Sequence, residues 1–330
     1  MKIGRDFTNL LNTSFLSETE RKDLETGKLS VPDMDARVQI KAKSDIINQV
    51  KVAKETGLDH VELDAGVPNP YLELPEDYLK NAAADARRNA ITLSLHLPYT
   101  FVAAATASFQ ESDRKLAVEL LKRYVDVAEI LGCNNVNMHP GAIPFYQAVG
   151  EYKKIVRESV LNSLLELAPY AASKGLAFHL ENNTAFDSIL FEIDECLSII
   201  DEVRARGNSV KFCFDIGHWF TRADVGMSIP NPPENIMNEI PEGYLGQIHL
   251  NDYIPVVKKF HPPLHYESGL LKKQNLVRLI KMLKEKGADL IIVETAVREV
   301  PELLNAGQLM ADESKFLREV LKSSGLRINP

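Results

Sequence analysis

The chain has 330 residues, 45% hydrophobic and 25% charged, an ordinary globular composition with length for a large core. Its formal charge of -8 opposes phosphate backbones at long range, which argues against general nucleic-acid binding. No apolar stretch approaches the ~20 residues of a membrane helix, and Cys133, Cys196 and Cys213, with no CxxC pair, read as buried reduced thiols of a cytoplasmic protein.

Residues 1–4 read as a short first strand. A long polar insertion, residues 6–43, follows, and the Ser17 to Glu20 spacing of a capping box predicts a short helix there. From Ser44 the pattern turns regular. Ile46, Ile47, Val50 and Ala53 share a helical face, Gly57 supplies the left-handed stop, and a strand over 61–64 follows. A helix over 75–88 with Asn89 as its stop leads to the apolar run 91–95 and His96. A helix over 112–131, with Leu116, Leu120, Tyr124 and Ala128 on one face, stops at Gly132, and the run 136–138 leads to His139. A helix over 149–173, with Val156, Val160, Leu164 and Ala168 inward, stops at Gly175 before the run 176–180 and Glu181. A helix over 193–206 stops at Gly207 before 210–214 and Asp215. The connection 219–242 is rich in Pro and Asn and reads as mostly loop. A strand over 244–250 contains His249, and a long loop then runs to about residue 271. A helix to 286 stops at Gly287, the run 288–293 leads to Glu294, and a last helix covers about 311–323.

Eight strands alternating with helices, with the strands apolar on both faces, predict an α/β fold: a single (β/α)8 TIM barrel over residues 1–330. The insertion after the first strand then lies over the barrel mouth, as a solvated extension or a lid. A doubly wound sheet lacks support, because no Gly-rich phosphate loop follows the first strand.

Six apolar runs end on His, Asp or Glu at the same end of consecutive strands, which points to a polydentate metal site in the C-terminal mouth. Glu181, Asp215, His249 and Glu294 end strands five to eight and are neighbours around that mouth. Three carboxylates and one imidazole form a hard donor set suited to Mn²⁺ or Mg²⁺ and tolerant of Zn²⁺ or Co²⁺. Buried carboxylates in one mouth repel each other unless a cation neutralises them. His96, His139, His218 and His265 form a second layer for a second ion or for substrate, so one or two ions remain open. Tyr99, Phe101, Trp219 and Asp252 are expected along the substrate pocket, whereas His60, His179 and His261 read as structural.

The segments Leu95-His96-Leu97-Pro98-Tyr99, Met138-His139-Pro140-Gly141, Leu180-Glu181-Asn182, Phe214-Asp215-Ile216-Gly217-His218, Ile248-His249-Leu250-Asn251-Asp252 and Val293-Glu294-Thr295 resemble the xylose isomerase-like TIM-barrel superfamily. That group contains sugar isomerases and epimerases and also endonuclease IV, and the resemblance spans roughly residues 44–294. It implies that Glu181, Asp215, His249 and Glu294 match the single metal site of keto-sugar epimerases, whose two Glu also move the substrate proton. The endonuclease IV pattern adds ligands matching His96 and His139, with Glu181 as a bridge. Its third metal uses residues matching His218 and His265 and an Asp two residues before the latter. Pro263 stands there in this chain, so the third site is incomplete.

Two functions follow. The first is a metal-dependent isomerase or epimerase of a small sugar or sugar derivative. In it Glu181 removes and Glu294 returns a proton through a metal-stabilised enediolate, while His218 and His96 hold hydroxyls. A homo-oligomer is the default for such an enzyme. The second is an endonuclease IV-like phosphodiesterase on abasic DNA, which needs basic loops that Lys258, Lys259, Lys272 and Lys273 would have to supply.

Overall fold

The computed structural model describes residues 1–288 and 290–325. Eight parallel strands form the frame: β1 (Lys2–Asp6), β2 (His60–Asp64), β3 (Thr92–His96), β4 (Asn135–Met138), β5 (Ala177–Glu181), β6 (Lys211–Asp215), β7 (Leu245–Leu250) and β8 (Leu290–Glu294). They close into a barrel in the order β1-β8-β7-β6-β5-β4-β3-β2. This is the expected (β/α)8 barrel. Of the expected last strand, Asp289 lies outside the described residues. The register sets Asp6 opposite Glu294, Asp64 opposite His96, and Asp215 opposite His249, so the strand ends form one ring. Among the described residues no helix is long and apolar enough to cross a membrane.

The expectation of strands apolar on both faces is corrected. Side chains alternate along a strand, and outside the last strand, where Ile292 also faces the axis, the outward set carries most of the apolar residues: Val61, Leu95, Val136, Phe178, Phe214 and Ile248, for example, are buried. Each such side chain contributes about 1.5–3 kcal/mol on burial. Elsewhere the inward set is mostly polar. His60, Glu62, Ser94, Asn135, Asn137, His179 and Gln247 are buried in the barrel, and they bond to one another across it. Mutual hydrogen bonding is what makes a polar barrel interior tolerable. Gly4 makes room for this layer, since a Cβ there would lie 2.9 Å from the His60 Cβ.

The insertion is more ordered than its polarity suggests. Ser17 and Glu20 form the expected capping box at the start of the helix Glu18–Glu25. A second helix, Val31–Ser44, starts with Ser30 accepting from the Asp33 N–H and buries Met34, Val38 and Ala42. Those three recur every four residues and so share one face. The connection after β6 opens with the short helix Ile216–Phe220 and continues mostly as loop and short turns, as expected. The last helix, Ala306–Ser323, starts earlier than expected, with Gly307 in its first turn hiding the signal.

Arg5 ties the barrel wall to that last helix. It pairs with Glu313 at 2.7 Å with both side chains fully buried, and Arg5 Nε and Nη1 have no other partner among the described residues. Glu313 also accepts from the Leu264 N–H (2.7 Å) and the Thr295 hydroxyl (2.8 Å). Glu313→Ala strands a buried guanidinium and is expected to destabilise the protein by about 3–5 kcal/mol in urea denaturation; a loss under 1 kcal/mol would contradict this role for the pair.

Candidate metal centre at the barrel mouth

The strand ends deliver their side chains to a cavity of about 400 Å³ at the mouth. Glu181 and Glu294 line it, and His249 and Asp215 are fully buried behind them: from His249 Nδ1, Glu181 Oε1 lies 3.2 Å away, Glu294 Oε1 3.0 Å and Asp215 Oδ2 4.0 Å. The four residues expected from the sequence therefore converge on one point.

Each is held by a neighbour the sequence reading passed over. Asn251 Nδ2 donates to Asp215 Oδ2 (2.8 Å) and Glu294 Oε2 (2.9 Å), clamping the two acids together. Gly217 makes that clamp feasible, because a Cβ there would sit 1.8 Å from Asn251 Oδ1. Asp215 Oδ1 caps the short helix by accepting from the His218 N–H (2.6 Å), and the Asn182 carbonyl oxygen of the side chain accepts from the Asp215 N–H (2.8 Å). Asn137 donates to Glu181 Oε2.

Three more imidazoles surround Glu181. His96 Nδ1 lies 2.9 Å from the Leu97 carbonyl, a bond in which the ring must donate, so Nε2 is left to face Glu181 Oε2 at 3.2 Å. His139 Nδ1 is held by Asn183 Oδ1 (3.2 Å), and its Nε2 stands 3.5 Å from Glu181 Oε1. His218 Nδ1 lies 3.4 Å from the same oxygen.

Burial alone would raise the Glu181 pKa, but His139, then His249 and His96, hold it well below the usual carboxylate range. Burial pushes Asp215 up to about 7, against His218 and with help from the Glu294 and Glu181 charges. Burial also lowers His139 and His261 to about 4, leaving both neutral at pH 7 with a lone pair to offer. A divalent cation fits this donor set. Glu181 Oε1 and His249 Nδ1 are buried side by side, and neither makes a hydrogen bond among the described residues. Ligand-capable atoms of His96, Glu181 and His249, of His139, Glu181 and His218, and of Asp215, His218 and His261 lie within 4.8 Å of one another in each group. Oxygen and imidazole donors of this kind suit hard or borderline divalent ions.

A family model described as the xylose isomerase-like TIM barrel matches residues 50–320. The chain belongs to that family. Its relatives include an uncharacterized protein of Methanocaldococcus jannaschii, 25% identical over 210 residues, which are 62% of this chain and 64% of that protein. The chain thus matches just under two thirds of that relative's length. A probable endonuclease 4 of Latilactobacillus sakei subsp. sakei strain 23K is 26% identical over 229 residues, 66% of this chain and 71% of that one. Among solved structures, a D-psicose 3-epimerase with D-tagatose from Clostridium cellulolyticum H10 has a TM-score of 0.65 at 18% identity, covering 85% of this chain and 94% of that one. A D-psicose 3-epimerase in the presence of D-fructose gives 0.66 at 15% identity, covering 98% and 100%. At these identities the likeness is one of fold.

Within this xylose isomerase-like barrel, Tyr99, His96, His139 and His218 line the mouth cavity as expected, and five other expectations are corrected. His265 is not among the lining residues. It packs on Tyr266 at 4.5 Å in a turn that the Leu264 bond to Glu313 anchors to the last helix. His261, read as structural, lines the cavity instead, with Nδ1 3.8 Å from Glu294 Oε2. Trp219 is 1% exposed and lies under the Arg222 guanidinium, because the helical step after His218 turns it into the core. Asp252 accepts from the N–H groups of Tyr253, Leu270 and Leu271 and staples the following loop. Phe101 is 79% exposed and does not line the cavity. Two acids outside the expected set do: Asp6 and Asp64, ending β1 and β2. Lys43, at the end of the insertion, pairs with Asp64 at 2.7 Å.

If the cluster holds a cation, Mn²⁺ at about a hundredfold excess over its Kd is expected to stabilise the native protein by about 2.7 kcal/mol, read as a Tm rise of several degrees that EDTA reverses. Asp215→Asn should lose most of that rise. An unchanged Tm with Mn²⁺, Co²⁺ and Zn²⁺ alike would rule the cluster out as a cation site.

Proposed function

We propose that the protein is a divalent-metal-dependent isomerase or epimerase of a small, uncharged sugar or sugar derivative. The observation that carries this reading is the convergence of Glu181, Asp215, Glu294 and His249 at the base of a monosaccharide-sized cavity. Among the described residues no Lys or Arg lines that cavity, whereas Asp6, Asp64, Asp187, Glu181 and Glu294 do. A sugar hydroxyl donates readily to such carboxylates, and a phosphate finds no guanidinium or ammonium to meet it.

Glu181, Asp215, His249 and Glu294 would hold the cation, with His96, His139 and His218 as ligands of a second ion or as hydroxyl partners. When bound, Mn²⁺, Mg²⁺, Zn²⁺ or Co²⁺ supplies Lewis-acid polarisation of adjacent carbonyl and hydroxyl oxygens. Glu181 takes a proton from carbon on one side of the substrate. Glu294, in its protonated form, delivers its own proton to the other face or to the neighbouring carbon, and exchange with solvent restores both carboxyls. The imidazoles around Glu181 favour its ionised form, which suits a base. Tyr99 and His218 bound the cavity and orient hydroxyls within it. We place the protein in the cytoplasm, a setting that three buried free cysteines suit.

Solvent-deuterium uptake into keto sugars, measured with the Mn²⁺- or Co²⁺-loaded protein, tests this reading. Glu181→Gln and Glu294→Gln are each expected to slow uptake by about 10²–10⁴-fold. No uptake into any keto sugar would sink the proposal.

A second reading, a phosphodiesterase acting on abasic DNA, has one observation in its favour: the histidine-rich groups beside Glu181 offer room for more than one ion. The absence of basic lining residues opposes it. So does the loop itself, because the mouth histidine there is His261, and the residue two before it is Lys259, not an Asp. Nicking of an abasic duplex at low salt with Zn²⁺ or Mn²⁺ decides the matter. The expected outcome is none, with the metal-to-protein ratio near one.

A further inference from the structure

We infer that Glu62 is a positioning residue of the mouth: it holds the His249 ring so that Nδ1, and not Nε2, is the nitrogen offered to a cation between Glu181 and Glu294. This rests on the metal-site reading above and adds a residue to it.

Glu62 lies on β2 inside the barrel, below Asp64, and is fully buried. Its Oε1 approaches His249 Nε2 to 2.6 Å. Its Oε2 accepts from the Ser94 hydroxyl (2.7 Å) on β3 and from Gln247 Nε2 (3.0 Å) on β7. Ser94 is fixed in turn by His60 Nε2 at 2.8 Å, and His60 Nδ1 by the Thr92 hydroxyl at 2.8 Å. The carboxylate is therefore located from three strands. Among the described residues, His249 is the one basic side chain in ion-pair contact with it. A buried carboxylate costs several kcal/mol unless paired, so packing alone gives no reason for an acid here.

The two nitrogens of His249 divide their neighbours cleanly. Nδ1 faces Glu181 Oε1 at 3.2 Å and Glu294 Oε1 at 3.0 Å, and Nε2 faces Glu62. Glu62 meets Nε2 as a close ion-pair contact rather than an aligned hydrogen bond, and a carboxylate beside the second nitrogen of a metal-ligating imidazole favours the proton on that nitrogen. Here the choice is contested. Gln247 Nε2 lies 2.9 Å and Asn137 Nδ2 3.5 Å from the same His249 Nε2, and both are amide donors that favour a lone pair there. The Gln247 orientation is fixed, because its Oε1 accepts from Asn135 Nδ2 at 2.8 Å. Without the carboxylate those amides would draw the proton onto Nδ1, where it would face the cation position. A charge-assisted contact is roughly twice as strong as a neutral one, so Glu62 decides the contest.

The test is Co²⁺ titration of the full chain by visible absorption, for the native protein, Glu62→Gln and Ser94→Ala. Glu62→Gln is expected to raise the Co²⁺ Kd about 10–100-fold and to change the Co²⁺ band at saturating metal, with far-UV circular dichroism unchanged. A merely structural role would leave the band at saturation as it was. Native-like affinity and band in Glu62→Gln overturn the inference and leave the metal site standing. No Co²⁺ binding by the native protein overturns the site itself and this inference with it. Should Glu62→Gln not fold, Ser94→Ala removes one anchor of the acid. It is expected to weaken Co²⁺ binding about threefold to tenfold, and an unchanged Kd there overturns the proposal.

Discussion

Side-chain alternation along in-register parallel strands is the constraint on which everything else in this molecule depends. Residues two apart share a face, so His60, Glu62 and Asp64 on β2, Ser94 and His96 on β3, or Gln247 and His249 on β7 are stacked as one polar column each. Closure of the sheet turns these columns toward a common axis. The same alternation sends the Val, Leu, Ile and Phe at the intervening positions outward, where the helices cover them. One pattern thus makes the hydrophobic core, the polar axis and the mouth at once. A slip of one residue in any strand would exchange its core face for its axial face, so the register that stabilises the fold is also what assembles the site.

The charges at the mouth form a connected ring. Glu181 is enclosed by His96, His139, His218 and His249, and His139, His249 and His96 hold its pKa low. Asp215 and Glu294 are joined by Asn251. Asp6 stands beside Glu294 and Asp64 beside His96. Burial, with the Asp64 and Glu294 charges, raises the Asp6 pKa well above its usual value. Burial also opposes ionisation of Asp64, yet the Lys43 ammonium, delivered by the insertion, keeps its pKa low. The insertion is therefore coupled to the mouth electrostatically, through a residue at its very end.

Much of this was legible in the sequence, because two signals coincided in it. Apolar runs ended on ligand-type residues, and most of the runs followed a helix that stopped at Gly. Together they gave the strand order and the four residues that meet at His249 Nδ1. What was missed had a readable signal of a different kind. In Ile248-His249-Leu250-Asn251-Asp252 the residue in phase with His249 is Asn251, two further on, and not Asp252. The same phase rule points from Asp64 to Glu62 and from Glu181 to His179. Trp219 fails for the helical counterpart of that rule, since one step past His218 turns a side chain about 100° away. No periodicity operates in the loop after β7, so His261 and His265 were indistinguishable there. Only the anchoring of Leu264 by Glu313, from a helix near the end of the chain, shows which histidine reaches the mouth.

The charge balance also bears on what the mouth accepts. Glu181, Asp215 and Glu294 together bring three negative charges, and a divalent cation offsets two. Asp64 adds one more, which Lys43 compensates, and burial with the Asp64 and Glu294 charges disfavours ionisation of Asp6. Two like charges about 4 Å apart at an effective dielectric of 20 repel by about 4 kcal/mol. A phosphate brought among these acids would meet that repulsion with no Lys or Arg among the described lining residues to relieve it. A neutral polyol meets the opposite situation: its hydroxyls donate, and carboxylate oxygens have lone pairs to spare. The acids of β1 and β2, which stand outside the cluster around His249, present acceptor oxygens to hydroxyl donors and repel anions.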